Sequence, residues 1–172
     1  MQADQRGRTI RDTAACALRP EQLFDLLSDP TERQQWDLCP PYITQEPLAA
    51  APGPALQGAR YTGRGTLRGI GYVVLAMVTA ADRPRRYEIR AESRFERGYP
   101  DAVAVEEYLI EPAGTGSLVH YRATIVKTPG TGTLLMRLLS AVLEPVMAPR
   151  AAKTNFRNML RYAEKHAASV TT

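Results

Sequence analysis

Between Tyr42 and Pro129 the chain is cut at short, regular intervals by turn signals: "APGP" at 51–54, "RGIG" at 68–71, "ADRP" at 81–84, "RGYPD" at 97–101 and "PAGTG" at 112–116. Glycine and proline at such spacing leave room for strands joined by tight connections, which is an antiparallel meander. The intervening segments, 42–48, 59–67, 72–81, 85–95, 102–111 and 117–128, are of strand length. Segment 85–95 shows the period of two most plainly. Tyr87, Ile89, Ala91, Ser93 and Phe95 alternate with Glu88, Arg90, Glu92 and Arg94, so one face is dry and the other wet.

Helical patterns flank this block. Residues 8–18 alternate as one more strand, and "RPEQLFDLLSDP" at 19–30 follows with Pro20 and Glu21 suited to a first helical turn. Leu23, Phe24, Leu26 and Leu27 form its buried stripe. Asp29-Pro30 stops that helix, and Asp29 or Thr31 caps a second short one ending at Trp36, the single tryptophan of the chain. After "PGTG" at 129–132 the 3.6 period runs to about Ala167, with Leu134, Leu135, Leu138, Val142, Val146, Phe156, Met159, Leu160 and Ala163 on one broad face. Pro145 and Pro149 are expected to kink this helix or divide it in two. A meander and a long helix make an α+β layer architecture in one domain, 1–172, with residues 1–7 and 167–172 expected to fray. "MAPRAA" at 147–152 and the glycines Gly63 and Gly65 would leave space between helix and sheet.

Composition excludes several classes. The net charge of +4 is scattered, with no basic run longer than "RPRR" at 83–86, so nucleic acid is not the expected partner. "TLLMRLLSAVLEPVMA" at 133–148 is too short and too charged to span a bilayer, so it is read as a core helix without membrane insertion. "MQADQRGR" lacks an apolar signal core, and Cys16 and Cys39 belong to no cluster, so both are read as free thiols of a cytoplasmic protein. His120 and His166 are isolated, which gives no metal site, and no cofactor is expected. His120 should face outward beside Tyr121, and His166 should lie near the helix C-terminus. "GRGTLRGIG" at 63–71 has no following helix and reads as a hairpin turn, not a phosphate loop.

The order strand, two helices ending in "FDLLSDPTERQQWD" (24–37), six-strand meander and long helix resembles the START/Bet v 1-like helix-grip superfamily (SRPBCC). Within it the chain looks most like the polyketide cyclase/dehydrase group, on "GARYTGRG" (58–65), "DRPRRYEIRAES" (82–93), "EEYLIEPAGTGSLVHYR" (106–122) and "NFRNMLRYAE" (155–164) as well. The resemblance implies a curved antiparallel sheet of about seven strands around the C-terminal helix, with an internal cavity. It places Trp36 against the sheet at one end of that cavity, or as a core plug.

Phased by the same resemblance, the inward positions are Tyr61 and Gly63; Leu75, Met77 and Thr79; Ile89, Ala91 and Ser93; Glu106 and Tyr108; and Tyr121. Strand 102–111 permits the opposite phase, which would exchange Glu106 for Glu107. Ligand contacts are accordingly expected at Trp36, Tyr61, Leu75, Met77, Thr79, Ile89 and Ser93, with Leu138, Val142 and Phe156 from the helix. Arg137, also on that helix, is either solvated or meets a ligand's polar end.

Ring-forming members carry an arginine and a serine on the fourth strand; here those positions fall on Thr79 and Met77, so their mechanism is not simply copied. The expected catalytic set is Glu106, a carboxylate among apolar and aromatic groups, with Tyr108 and Tyr121 to hold an enolate oxygen. Two functions follow from the resemblance. One is a cyclase or dehydratase of secondary metabolism, such as antibiotic biosynthesis, acting without cofactor on a polyketide or similar hydrophobic molecule. The other is a non-catalytic carrier of a lipid or other apolar metabolite. In either case the expected partner is a hydrophobic small molecule, and the protein is a monomer or homodimer.

Overall fold

The computed structural model describes residues 8–37, 43–45, 52–67, 69–97, 101–127 and 134–170. The elements in chain order are β1 (Arg8–Cys16), α1 (Pro20–Ser28), α2 (Pro30–Trp36), β2 (Ile43–Gln45), β3 (Arg60–Leu67), β4 (Ile70–Asp82), β5 (Arg86–Phe95), β6 (Ala102–Ala113), β7 (Gly116–Lys127) and α3 (Leu134–Val170). The strands form one curved antiparallel sheet in the order β1-β7-β6-β5-β4-β3-β2, six long strands with the three-residue β2 at one edge. Chain neighbours pair throughout, save that β1 crosses over to close against β7. Helix α3 is continuous across Pro145 and Pro149, so of the two expected outcomes, a kink or a division, the division does not occur.

Local chemistry explains the helix pair. Arg19 caps α1, its backbone N–H donating 3.2 Å to the Gln22 side chain, with Pro20 next in line. Asp29 then ends α1 and starts α2, accepting from the Thr31 N–H at 2.8 Å, the Thr31 hydroxyl at 2.6 Å and the Gly53 N–H at 2.7 Å. Partial burial pushes the Asp29 carboxyl up, but these hydrogen bonds outweigh it and hold it below its ordinary value. A depressed folded-state value contributes stability that is present above the unfolded-state value and lost as pH falls through the folded one. Asp29→Ala should therefore cost about 1 kcal/mol at neutral pH in urea unfolding, with a difference that fades in acid.

One core lies between the concave face of the sheet and the helices. It joins Leu23, Phe24, Leu26 and Leu27 of α1 to Tyr87, Ile89, Tyr108, Ile110, Val119 and Tyr121 of the sheet and Phe156, Met159 and Ala163 of α3. Tyr121 stacks on Phe156 at 5.0 Å and 7°, and Phe24 meets Tyr87 edge-on at 6.0 Å. At the turn into β7, a Cβ on Gly116 would stand 2.2 Å from the Cys16 carbonyl oxygen, so glycine is what lets β1 and β7 close. Cys16 is buried, which pushes its thiol up, and Cys39 lies outside the described residues.

Register settles which residues look inward. Tyr61 lies opposite Ala76, Ala76 opposite Ala91, Ile89 opposite Glu106, and Tyr108 opposite Tyr121. Directly opposed residues share a face, so the expected phase holds for β3, β5, β6 and β7. It fails for β4. Leu75, Met77 and Thr79 face the convex side, and Tyr72, Val74, Ala76 and Val78 face the concave one. Leu75 is 45% exposed. Thr79 sits at a register shift between Val78 and Ala80, where its hydroxyl donates 2.7 Å to the Glu88 carboxylate. The reason is that "VVLAMV" at 73–78 is apolar on both faces, so alternation there carries no phase.

The convex face is held by ion pairs. Glu107 receives Arg86 at 3.0 Å and Arg122 at 2.7 Å, and Arg90 pairs with Glu92 at 3.0 Å. Glu107 is thus the outward acid of β6 and Glu106 the inward one. His120 lies on the same convex side, its Nδ1 3.1 Å from the Thr13 hydroxyl. His166 lies in the last turns of α3, against the Tyr162 carbonyl oxygen at 3.2 Å.

Candidate functional site: a buried arginine between two carboxylates

Helix α2 brings three residues to the concave face by simple spacing. Arg33, Trp36 and Asp37 stand at i, i+3 and i+4, which puts them on one side of a helix. The Arg33 guanidinium lies 5.1 Å from the centre of the Trp36 ring. Its Nη2 donates to Glu106 at 2.5 Å and its Nε donates to Asp37 at 2.8 Å. Glu106 also accepts from the Tyr108 hydroxyl at 3.3 Å. Asp37 in turn accepts from the Asn155 amide at 2.5 Å, which ties the cluster to α3.

The surroundings are dry. The side chains of Arg33 and Glu106 keep 11% and 18% of their exposure, and Trp36 and Tyr108 keep 2% and 1% of theirs. Burial acts to lower the Arg33 pKa, but the adjoining Glu106 and Asp37 carboxylates hold it well above the ordinary arginine value. Burial also pushes the hydroxyls of Tyr61, Tyr87, Tyr108 and Tyr121 up, so at neutral pH each is a neutral hydrogen-bond donor and not a base.

Three buried donors in this cluster find no hydrogen-bond partner among the described residues: Nη1 of Arg33, Nε1 of Trp36 and the hydroxyl of Tyr61. The Tyr61 hydroxyl lies beside that of Tyr87 without a hydrogen bond of normal geometry.

Of the sequence-predicted residues, the fold brings together Trp36, Tyr61, Ile89, Tyr108, Tyr121 and Phe156 in one core, with Glu106 at its edge beside Tyr108 and opposite Ile89. Ser93 lies on the same concave face, opposite Val74 and Ala102. Leu75, Met77 and Thr79 are removed from the site by the β4 register. Leu138, Val142 and Arg137 fall on a stretch of α3 whose side chains lie outside the described residues.

Glu106 lies inward beside the Tyr108 hydroxyl, and its ion pair is with Arg33, which sequence reasoning passed over together with Asp37 and Asn155. The signal was present in "ERQQWD" at 32–37, where an arginine four residues before an aspartate flanks a buried tryptophan. The site also has an arginine after all, supplied by α2, not by the fourth strand.

A curved antiparallel sheet with a long C-terminal helix is the architecture of the START/Bet v 1-like helix-grip class. The chain belongs to the family described as "Polyketide cyclase / dehydrase and lipid transport", which matches residues 8–167. That family joins ring-forming and dehydrating enzymes to lipid carriers, and this is a ligand-binding fold within it. Solved structures share the fold at low identity. Ara h 8.0201 is 17% identical over 95% of this chain and 99% of its own, with a TM-score of 0.62. A norcoclaurine synthase point mutant from Thalictrum flavum, solved with a transition-state analogue, is 12% identical over 96% and 99%, with a TM-score of 0.63. A protein from Chromobacterium violaceum is 14% identical over 91% and 94%, with a TM-score of 0.62. No curated protein sequence matches the chain. Among the described residues no helix is long and apolar enough to cross a membrane.

Proposed function

We propose that the protein takes a polyketide-like hydrophobic chain into an internal cavity between sheet and helix and promotes its cyclisation or dehydration without a cofactor. The observation that carries this reading is the buried donor set around the Glu106 carboxylate. Enolisation of a ketone needs a carboxylate near the acidic C–H and donors near the oxygen where negative charge grows. Glu106 would take the proton. The free N–H groups of Arg33 and Trp36 and the Tyr61 hydroxyl would hold the oxygen, and Tyr108 would keep the carboxylate oriented. Tyr121, stacked on Phe156, would form an aromatic wall that shapes the chain.

A second reading has its own support. Glu106 is engaged by both Arg33 and Tyr108, and a carboxylate so occupied also suits a carrier whose polar end merely anchors an apolar ligand. The test is turnover of a synthetic poly-β-ketone by the wild type and by Glu106→Gln. On the enzyme reading the variant still binds the compound but converts it about 10²–10⁴-fold more slowly. Recovery of the compound unchanged from both proteins makes the protein a carrier.

A further inference from the structure

Three buried donors of the cluster that find no partner among the described residues point to the chemistry of the ligand's polar end. A buried donor without an acceptor costs about 1–3 kcal/mol, and Arg33 Nη1, Trp36 Nε1 and the Tyr61 hydroxyl, the last beside the Tyr87 hydroxyl, have no hydrogen-bond partner of normal geometry among the described residues. Trp36 and Tyr61 are 2% and 6% exposed, so bulk water does not satisfy them. A guanidinium and an indole N–H cannot accept a hydrogen bond. What completes the site must therefore bring acceptors.

Charge decides which acceptor. Arg33 stands between two carboxylates, Glu106 at 2.5 Å and Asp37 at 2.8 Å. The same three charges act on the hydroxyls of Tyr61, Tyr108 and Tyr121. Among the described residues, one cation against two anions leaves the cluster net negative. A ligand carboxylate would add a third negative charge in a poorly hydrated place, where repulsion is screened least. A ketone or ester carbonyl brings two lone pairs and no charge.

We propose that the site seats a neutral carbonyl oxygen on Arg33, Trp36 and Tyr61, and that the excess negative charge of Glu106 and Asp37 turns away fatty acids and other carboxylates. This rests on the ligand-binding reading above and narrows it. A carboxyl terminus is thereby the wrong end of a chain to enter first.

The test uses the full chain at neutral pH with three probes of matched length: a long-chain methyl ketone, the corresponding fatty acid and the corresponding alkane. Binding is read from Trp36 fluorescence. The ketone should bind about tenfold or more tighter than either other probe, which is one to two hydrogen bonds' worth of discrimination. Glu106→Gln, which removes one negative charge, should narrow the gap between acid and ketone. Tyr61→Phe should narrow the gap between ketone and alkane, and circular dichroism confirms that both variants fold. Acid binding as tight as ketone binding, or an unchanged gap in Glu106→Gln, overturns the charge selection while leaving ligand binding in place. Equal binding of ketone and alkane overturns the carbonyl seat. Failure of all three probes to bind overturns the ligand-binding reading itself, and this inference with it.

Discussion

Arg33→Met should lower folding stability by about 3–5 kcal/mol, because it leaves Glu106 and Asp37 without their shared counter-charge in a largely buried site. Methionine nearly matches the length of the arginine stem, so the packing against Trp36 is largely kept and the loss reports the charge. Set against a typical total of about 5–15 kcal/mol, the variant would be marginally folded. Urea unfolding at neutral pH measures the effect. The double variant with Glu106→Gln should recover part of the loss, since it removes one of the two orphaned charges. A cost below about 1 kcal/mol for Arg33→Met is what a solvent-screened surface pair gives, and it would contradict a buried cluster.

Phe156→Ala should be nearly as severe, at about 3–5 kcal/mol. Phe156 is 1% exposed and stacks on Tyr121, so its ring is what seats the middle of α3 on the sheet. The same helix supplies Asn155, which holds Asp37, so loosening it should also release the polar cluster. Amide exchange along α3 should accelerate, while the β4–β5 hairpin, which does not depend on this contact, should keep its protection. Uniform acceleration through both would mean that the helix and sheet unfold as one unit.

The fold was largely legible because turn residues and periodicity act locally. Asp29-Pro30 had to end one helix, and its free carboxylate had to find the N–H groups of the next. β5 declared its own phase through alternating charge, and the structure agrees residue by residue from Tyr87 to Phe95. β4 declared none, because both of its faces are apolar, and there the reading slipped by one residue. That slip moved Leu75, Met77 and Thr79 to the wrong side of the sheet.

The candidate site was legible in its parts and not in its assembly. Trp36, Tyr61, Glu106, Tyr108 and Phe156 could be named as inward from pattern and resemblance. Arg33 could not, because arginine on a short polar helix is ordinarily solvated. Its burial follows from a pairing 73 positions away along the chain, which no local pattern records. The Glu106–Glu107 ambiguity was of the same kind. It is resolved by Arg86 and Arg122 gathering around Glu107 on the outer face, and Arg33 meeting Glu106 on the inner one.

If a small molecule completes the Arg33–Trp36–Tyr61 donor set, the indole N–H of Trp36 must change its environment on binding. The chain has one tryptophan, so a ¹⁵N–¹H spectrum contains one indole N–H resonance, and it comes from the group at issue. That resonance should be followed while a long-chain methyl ketone is titrated in. A saturable downfield shift is expected as Trp36 Nε1–H gains an acceptor, with the shift reduced in Tyr61→Phe. A stationary indole resonance, while amides elsewhere respond to the ketone, would place the ligand away from this cluster and overturn the carbonyl seat.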